Sequence, residues 1–299
     1  MRQPYTSQTP VRAVIDDPAF AGFGRMLFPT AFGAPPAGMT LHDIGRWLPF
    51  HNCIRDETTT RVLNELQARA AAGEQVFYPI YTDREQMQEP ARRDTGLFFF
   101  RGRPGAPFAV VSAGGGFYYV GSIHESLPHA LELSRRGYNA FALVYRPDSA
   151  CTACTDLARA VGTVCRYADA LKVSPEGYSL WGGSAGARMA AWVGSYGTAA
   201  FGGDRLPKPA AVAMQYTGLS EYSRHDPPTY ACVGTADGIA PWRVMKGRID
   251  AMAALGVPTE FHLYPGLPHG FGLGAGTRAD GWLDEAADFW RRQLGKNPE

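Results

Sequence analysis

Three residues in this 299-residue chain have the types and the order of a nucleophile with its proton relay. Ser184 lies in Gly182-Gly183-Ser184-Ala185-Gly186, a G-x-S-x-G pattern. A serine hydroxyl becomes a useful nucleophile only when a base takes its proton, and that base needs a carboxylate to orient it. Downstream, Asp237 sits in Gly234-Thr235-Ala236-Asp237-Gly238, and His269 sits in Pro265-Gly266-Leu267-Pro268-His269-Gly270-Phe271. The order serine, acid, histidine is one in which such a relay is built. The chemistry it offers is acyl transfer. Asp-Gly is also a common turn pair, so a plain turn aspartate competes with the catalytic reading. His262, inside Glu260-Phe261-His262-Leu263-Tyr264, is the rival histidine, and there a packed core residue is the natural reading. Glu221 and Asp226 are the competing carboxylates.

A tetrahedral intermediate also needs donors for its oxyanion. The run Ala113-Gly114-Gly115-Gly116-Phe117 follows a strand-like segment, Pro107 to Ser112. Glycines there let backbone N–H groups converge on one point. The expected donors are the N–H groups of Gly115 and Gly116, with that of Ala185 after the nucleophile. Phe117, Tyr118, Tyr119, Tyr216 and Phe271 flank these segments. Phe117, Tyr118, Tyr216 and Phe271 are taken as the substrate-binding side chains, against a competing role as packing at the sheet ends.

These residues must be carried by a sheet. Tyr178 to Trp181 reads as a buried strand entering the motif, and the small residues Ala185 to Val193 as the helix leaving it. Thr229 to Val233 and Glu260 to Tyr264 read as the strands before Asp237 and His269. From about residue 96 strands and helices alternate, which favours a mostly parallel sheet with helices on both faces. Leu97 to Phe100 and Pro107 to Ser112 flank Gly102-Arg103-Pro104-Gly105, read as a hairpin turn. Leu157, Val161, Val164, Ala168 and Leu171 recur at helical spacing, so one helix is expected through them.

Two other motifs are set aside. His124-Glu125-Ser126-Leu127-Pro128-His129 has its histidines five apart, on different sides of a helix, and reads as a helix start. Gly272-Leu273-Gly274-Ala275-Gly276 follows no strand directly, so it reads as a mobile loop beside His269 rather than a dinucleotide site. The five cysteines are odd in number, and Cys151-Thr152-Ala153-Cys154 lacks a second pair for zinc, so packing is preferred to redox or metal chemistry.

A formal net charge of +1 with scattered arginines gives no support for nucleic-acid binding. No stretch is apolar enough to cross a membrane, and the first residues lack a signal-peptide core, so a cytoplasmic location is expected. Residues 1–75 fall outside the alternating pattern, with one clear helix from about Thr60 to Ala72. They form an amino-terminal extension, either a cap shaping the alcohol side of the pocket, which is preferred, or packing; residues 76–299 form the catalytic domain.

On the strand–turn–helix around Ser184 (a nucleophile elbow), the glycine run and the ordered triad, residues 95–295 resemble the α/β-hydrolase superfamily. They are most similar to bacterial acetylesterases and hormone-sensitive-lipase-like esterases. In those relatives the oxyanion loop reads His-Gly-Gly-Gly, whereas Ala113 stands at the histidine position here. The resemblance implies an α/β-hydrolase fold and a serine carboxylic-ester hydrolase acting on small or short-acyl esters, with Ser184, Asp237 and His269 catalytic. It implies no cofactor or metal, and a small-molecule ester as the partner; the residues leave the oligomeric state open. An amide hydrolase, arylformamidase-like or peptidase, and a silent hydrolase-fold binding module are the alternatives.

Overall fold

In the computed structural model, which describes residues 3–295, the apolar runs become eight strands. They are β1 (Phe77–Tyr78), β2 (Gly96–Phe100), β3 (Pro107–Ser112), β4 (Asn139–Val144), β5 (Ser174–Gly183), β6 (Ala211–Gln215), β7 (Thr229–Gly234) and β8 (Thr259–Tyr264). One sheet holds them in the order β1-β2-β4-β3-β5-β6-β7-β8. From β4 to β8 the neighbours run parallel, while β1 and β2 pair antiparallel at one edge. Every residue of β2, β4, β6 and β7 is buried. Strands apolar on both sides must be covered on both faces, and that burial is the main stabilising term.

The α-helices are α1 (Val11–Ile15), α2 (Asp56–Ala71), α3 (Asp83–Gln88), α4 (Ser126–Arg135), α5 (Ala150–Arg166), α6 (Ala168–Leu171), α7 (Ala185–Tyr196), α8 (Trp242–Ala254) and α9 (Trp282–Gln293). On one side α4 packs against α2 and α9; on the other α5 packs against α7. The helix expected through Leu171 is broken at Tyr167, so α5 and α6 are separate.

After β3 the chain moves to β4 on one side, then returns to place β5 on the other. Strand order therefore reverses around β3. In open parallel sheets the crevice at the carboxyl ends of such strands is where ligands bind. Here those ends carry the Gly114–Gly116 run after β3 and Ser184 after β5.

The hairpin expected between β2 and β3 does not form. β2 pairs with β4, with Phe99 opposite Phe141, and β4 separates β2 from β3. The rings of Phe99 and Phe141 stack with centroids 4.2 Å apart. The connecting turn is held by Asn139, whose side chain accepts from Gly102 N–H at 3.1 Å and donates to the carbonyls of Arg103 and Ala106 at 3.1 and 3.0 Å. A turn signal locates a reversal of the chain; it does not choose the strand's neighbour.

The amino-terminal segment packs into the same core. Val11, Val14, Phe20, Leu27, Leu41, Val62, Leu63 and Leu66 have no accessible surface, and the Phe23 ring stacks on Phe77 at 5.0 Å. Its last stretch, Phe50 to Asn52, reaches the carboxyl-terminal edge of the sheet, as described below. Among the described residues no helix is long and apolar enough to cross a membrane. Cys151 is exposed and Cys154 buried near the start of α5, where burial pushes the Cys154 thiol up to about 12.

Candidate active site

Ser184 stands between the end of β5 and the first residue of α7. Its φ of 52° and ψ of −114° form a strained combination for a residue with a Cβ. Packing enforces the turn. A Cβ at Gly182 would collide with the Gly186 backbone, and one at Gly186 with the Ser112 carbonyl. The two outer glycines are therefore required by close approach of backbones. Ser184 N–H donates to the Gln215 carbonyl at 3.0 Å, which ties the turn to β6.

The three candidate residues meet. His269 Nε2 lies 2.9 Å from Ser184 Oγ, and His269 Nδ1 lies 2.8 Å from Asp237 Oδ2. The Asp237 side chain has no accessible surface; its Oδ1 accepts the N–H groups of Ile239 and Ala240 at 2.9 and 2.7 Å. A carboxylate oriented in this way accepts a hydrogen bond from Nδ1–H, which keeps the proton on Nδ1 and leaves the Nε2 lone pair facing the serine. The rival carboxylates are engaged elsewhere: Glu221 accepts from Trp192 Nε1 at 3.0 Å, and Asp226 pairs with Arg248 at 3.2 Å. His262 is not the core residue expected. It is half-buried on the edge strand β8, between Glu260 and Glu285 at 2.8 and 3.3 Å, with its ring on Tyr230.

The glycine run curls beside the nucleophile. A Cβ at Gly114 would come within 2.9 Å of Ser184 Cβ, and one at Gly115 would strike the Tyr119 carbonyl. Among the described residues, no acceptor takes the N–H groups of Gly115, Gly116 or Ala185, whereas Gly114 N–H donates to Glu125. The Ala185 N–H opens α7, so the helix dipole adds to its pull on an anion. Ala113 is buried, and its carbonyl accepts the Tyr145 hydroxyl at 2.8 Å.

The aromatic residues divide by burial. Phe117 and Tyr118 present surface beside Gly116, and Tyr118 is 74% exposed. Tyr216 and Phe271 present none; expected at the substrate, they stand behind the histidine. Tyr216 meets His269 edge to face at 4.9 Å, and Phe271 meets Tyr216 at 4.7 Å. Tyr119 is likewise buried and donates or accepts at His51 Nδ1, 2.9 Å away.

Sequence reasoning missed the residues that hold these loops. Asn52 donates from its side chain to the His269 carbonyl and from its backbone to the Gly270 carbonyl, each at 2.8 Å. His124 Nε2 donates to the Gly270 carbonyl at 3.1 Å. The loop Gly272 to Gly276 is tied to the core at its first residue: the Gly272 carbonyl accepts Gln215 Nε2 at 2.9 Å and Trp282 Nε1 at 3.1 Å. Glu125 is the N-cap of α4, so the helix-start reading of that motif placed the element but not the role of the side chain.

The buried histidines make acid stability predictable. Burial, with the neighbouring His51 charge, lowers His124 to about 4; burial lowers His129 to about 4 against the opposing pull of Glu125. Both lie below the ordinary value of 6.5, so the unfolded chain binds the extra protons. The stabilisation is complete above about pH 6.5 and is lost as pH falls from there towards about 4; each residue contributes at most about 3 kcal/mol. Tm should therefore be level above neutrality and fall by roughly 10 °C between about pH 7.5 and 5. A level Tm across that window would contradict neutral burial of both rings.

Comparison with known proteins places the fold. No family model matches the chain, and no curated protein is similar to it. Among solved structures, an acetyl ester-xyloside bifunctional hydrolase from Caldicellulosiruptor lactoaceticus is similar with a TM-score of 0.64 and 22% identity, over 72% of this chain and 95% of that one. A thermophilic esterase from Thermogutta terrifontis, in its propionate-bound form, has a TM-score of 0.58 and 21% identity over 69% and 92%. A sugar hydrolase from Lactococcus lactis has a TM-score of 0.58 and 21% identity over 67% and 94%. The fold is that of the α/β hydrolases.

Proposed function

We propose that this protein is a serine esterase that cleaves short-acyl carboxylic esters through an acyl-enzyme. The observation that carries the reading is the unbroken hydrogen-bond chain from Ser184 through His269 to the buried Asp237. Ser184 Oγ attacks the acyl carbon while His269 Nε2 takes its proton. Asp237 holds the ring and offsets the charge that the ring gains. The N–H groups of Gly115, Gly116 and Ala185 stabilise the oxyanion. The tetrahedral intermediate collapses as His269 returns the proton to the leaving alcohol, and water, activated by the same histidine, releases the acid. No step calls on a metal or an organic cofactor.

Short acyl groups are favoured by the company the fold keeps: one similar structure is an acetyl-ester hydrolase and another binds propionate. Phe117 and Tyr118, with Phe50 close to Gly116, are assigned to the wall of the pocket. A panel of p-nitrophenyl esters of increasing chain length, with acetylated sugars and peptide amides, tests this. Acetate and propionate should be cleaved with the highest kcat/KM, and EDTA should change nothing. Faster cleavage of amides than of matched esters would move the reading to an amide hydrolase. No turnover on any of them would leave a binding module.

A further inference from the structure

We propose that Glu125 is a positioning residue for the oxyanion loop, held in register by His51 from the amino-terminal segment. The inference rests on the esterase reading of the site. Glu125 is 1% exposed. Its Oε2 accepts Gly114 N–H, and its Oε1 accepts the Tyr216 hydroxyl at 2.8 Å and lies 3.1 Å from His51 Nε2. The carboxylate lies directly against the elbow, because a Cβ at Gly183 would come within 2.8 Å of it. These contacts hold the carboxyl well below its ordinary range despite burial.

A buried carboxylate is costly unless its lone pairs are satisfied. Here the partners are the Gly114 N–H, the Tyr216 hydroxyl and His51 of the amino-terminal segment. Gly114 N–H turns down to Glu125, and the Gly114 carbonyl accepts Gly121 N–H at 2.9 Å. With Gly114 pinned at both ends, the N–H groups of Gly115 and Gly116 are left to face the acyl oxygen. Through Tyr216, whose hydroxyl also accepts Gly272 N–H at 3.2 Å, the same carboxylate braces the face of His269. His51 is fixed in turn by the Tyr119 hydroxyl at 2.9 Å, and that hydroxyl also accepts Phe50 N–H at 3.1 Å. The amino-terminal segment thus belongs to the catalytic geometry.

The sign of the effect separates positioning from bulk electrostatics. A negative charge beneath a developing oxyanion repels it, so charge alone predicts that Glu125→Gln speeds the reaction. Positioning predicts the reverse, because the amide turns an N–H towards a loop that offers donors. Glu125→Gln should lower kcat on p-nitrophenyl acetate by about 10²-fold, the scale of one lost oxyanion donor, with KM within about threefold. Affinity for a trifluoromethyl ketone, which forms a tetrahedral adduct on the serine, should fall by a similar factor. His51→Ala should lose about tenfold, and His51→Gln, which restores an N–H donor at the Nε2 position, should recover most of it. In protein labelled with ¹⁵N-glycine, the Gly114 amide should be shifted downfield and protected from exchange, and Glu125→Gln should abolish both.

A folded Glu125→Gln protein with kcat within twofold of wild type, or with its loss confined to KM, would overturn the proposal. So would an unchanged Gly114 amide. If Glu125→Gln fails to fold, the His51 variants decide: His51→Ala turnover within twofold of wild type overturns it. A wild-type protein that neither turns over esters nor binds the ketone would instead defeat the esterase reading, and the Gly114 amide would still decide whether Glu125 anchors the loop.

Discussion

Ser184→Ala should abolish ester turnover, by about 10⁶-fold in kcat, while the protein stays folded. The size follows from the geometry. Ser184 Oγ is the atom that His269 Nε2 faces, and among the described residues no other hydroxyl is hydrogen-bonded to that nitrogen. The residual rate would come from the N–H groups of Gly115, Gly116 and Ala185 acting on attack by water. In the proposed mechanism the three residues act as a unit, so adding His269→Ala to Ser184→Ala should cost little more. Steady-state kinetics on p-nitrophenyl acetate with the single and double variants checks both statements. Turnover near the wild-type level in Ser184→Ala would remove the nucleophile from the account.

Asp237→Asn should cost about 10⁴-fold in kcat, with the fold again preserved. Asp237 Oδ1 accepts two backbone N–H groups, from Ile239 and Ala240, so the asparagine oxygen must occupy that place. Its NH₂ is then forced towards His269 Nδ1, where the carboxylate oxygen stood at 2.8 Å. Nδ1 must accept, the ring proton moves to Nε2, and the serine meets a donor instead of a base. Glu221→Gln and Asp226→Asn should not reproduce this loss, since their partners are Trp192 and Arg248. A near-neutral Asp237→Asn, with activity abolished by either of the others, would show that the acid lies elsewhere.

Much of this was legible in the residues themselves. Parallel strands buried on both faces are written as continuous apolar runs, so β4, β6 and β7 were readable directly. Ser184, Asp237 and His269 each follow a segment readable as a strand, and the structure brings the three together. What escaped depends on the partners that the fold supplies. The neighbour of β2 is set by strand order, not by the Gly102–Gly105 turn. The half-exposure of His262 follows from β8 being an edge, which a single strand does not announce. Tyr216 and Phe271 were legible as aromatic residues near the site, but their depth was not. Glu125 and His51 carry no local signal, because their pairing joins the start of α4 to a segment before α2.

The proposed reaction passes through a covalent acyl-enzyme on Ser184. Wild-type protein treated with a fluorophosphonate, digested and analysed by mass spectrometry should carry one adduct, on the peptide containing Ser184, and His269→Ala should label far more slowly. Prior occupation by a slowly hydrolysed acyl ester should protect that same peptide. An adduct on a different residue, or an unlabelled Ser184 in protein that hydrolyses esters, would contradict the account.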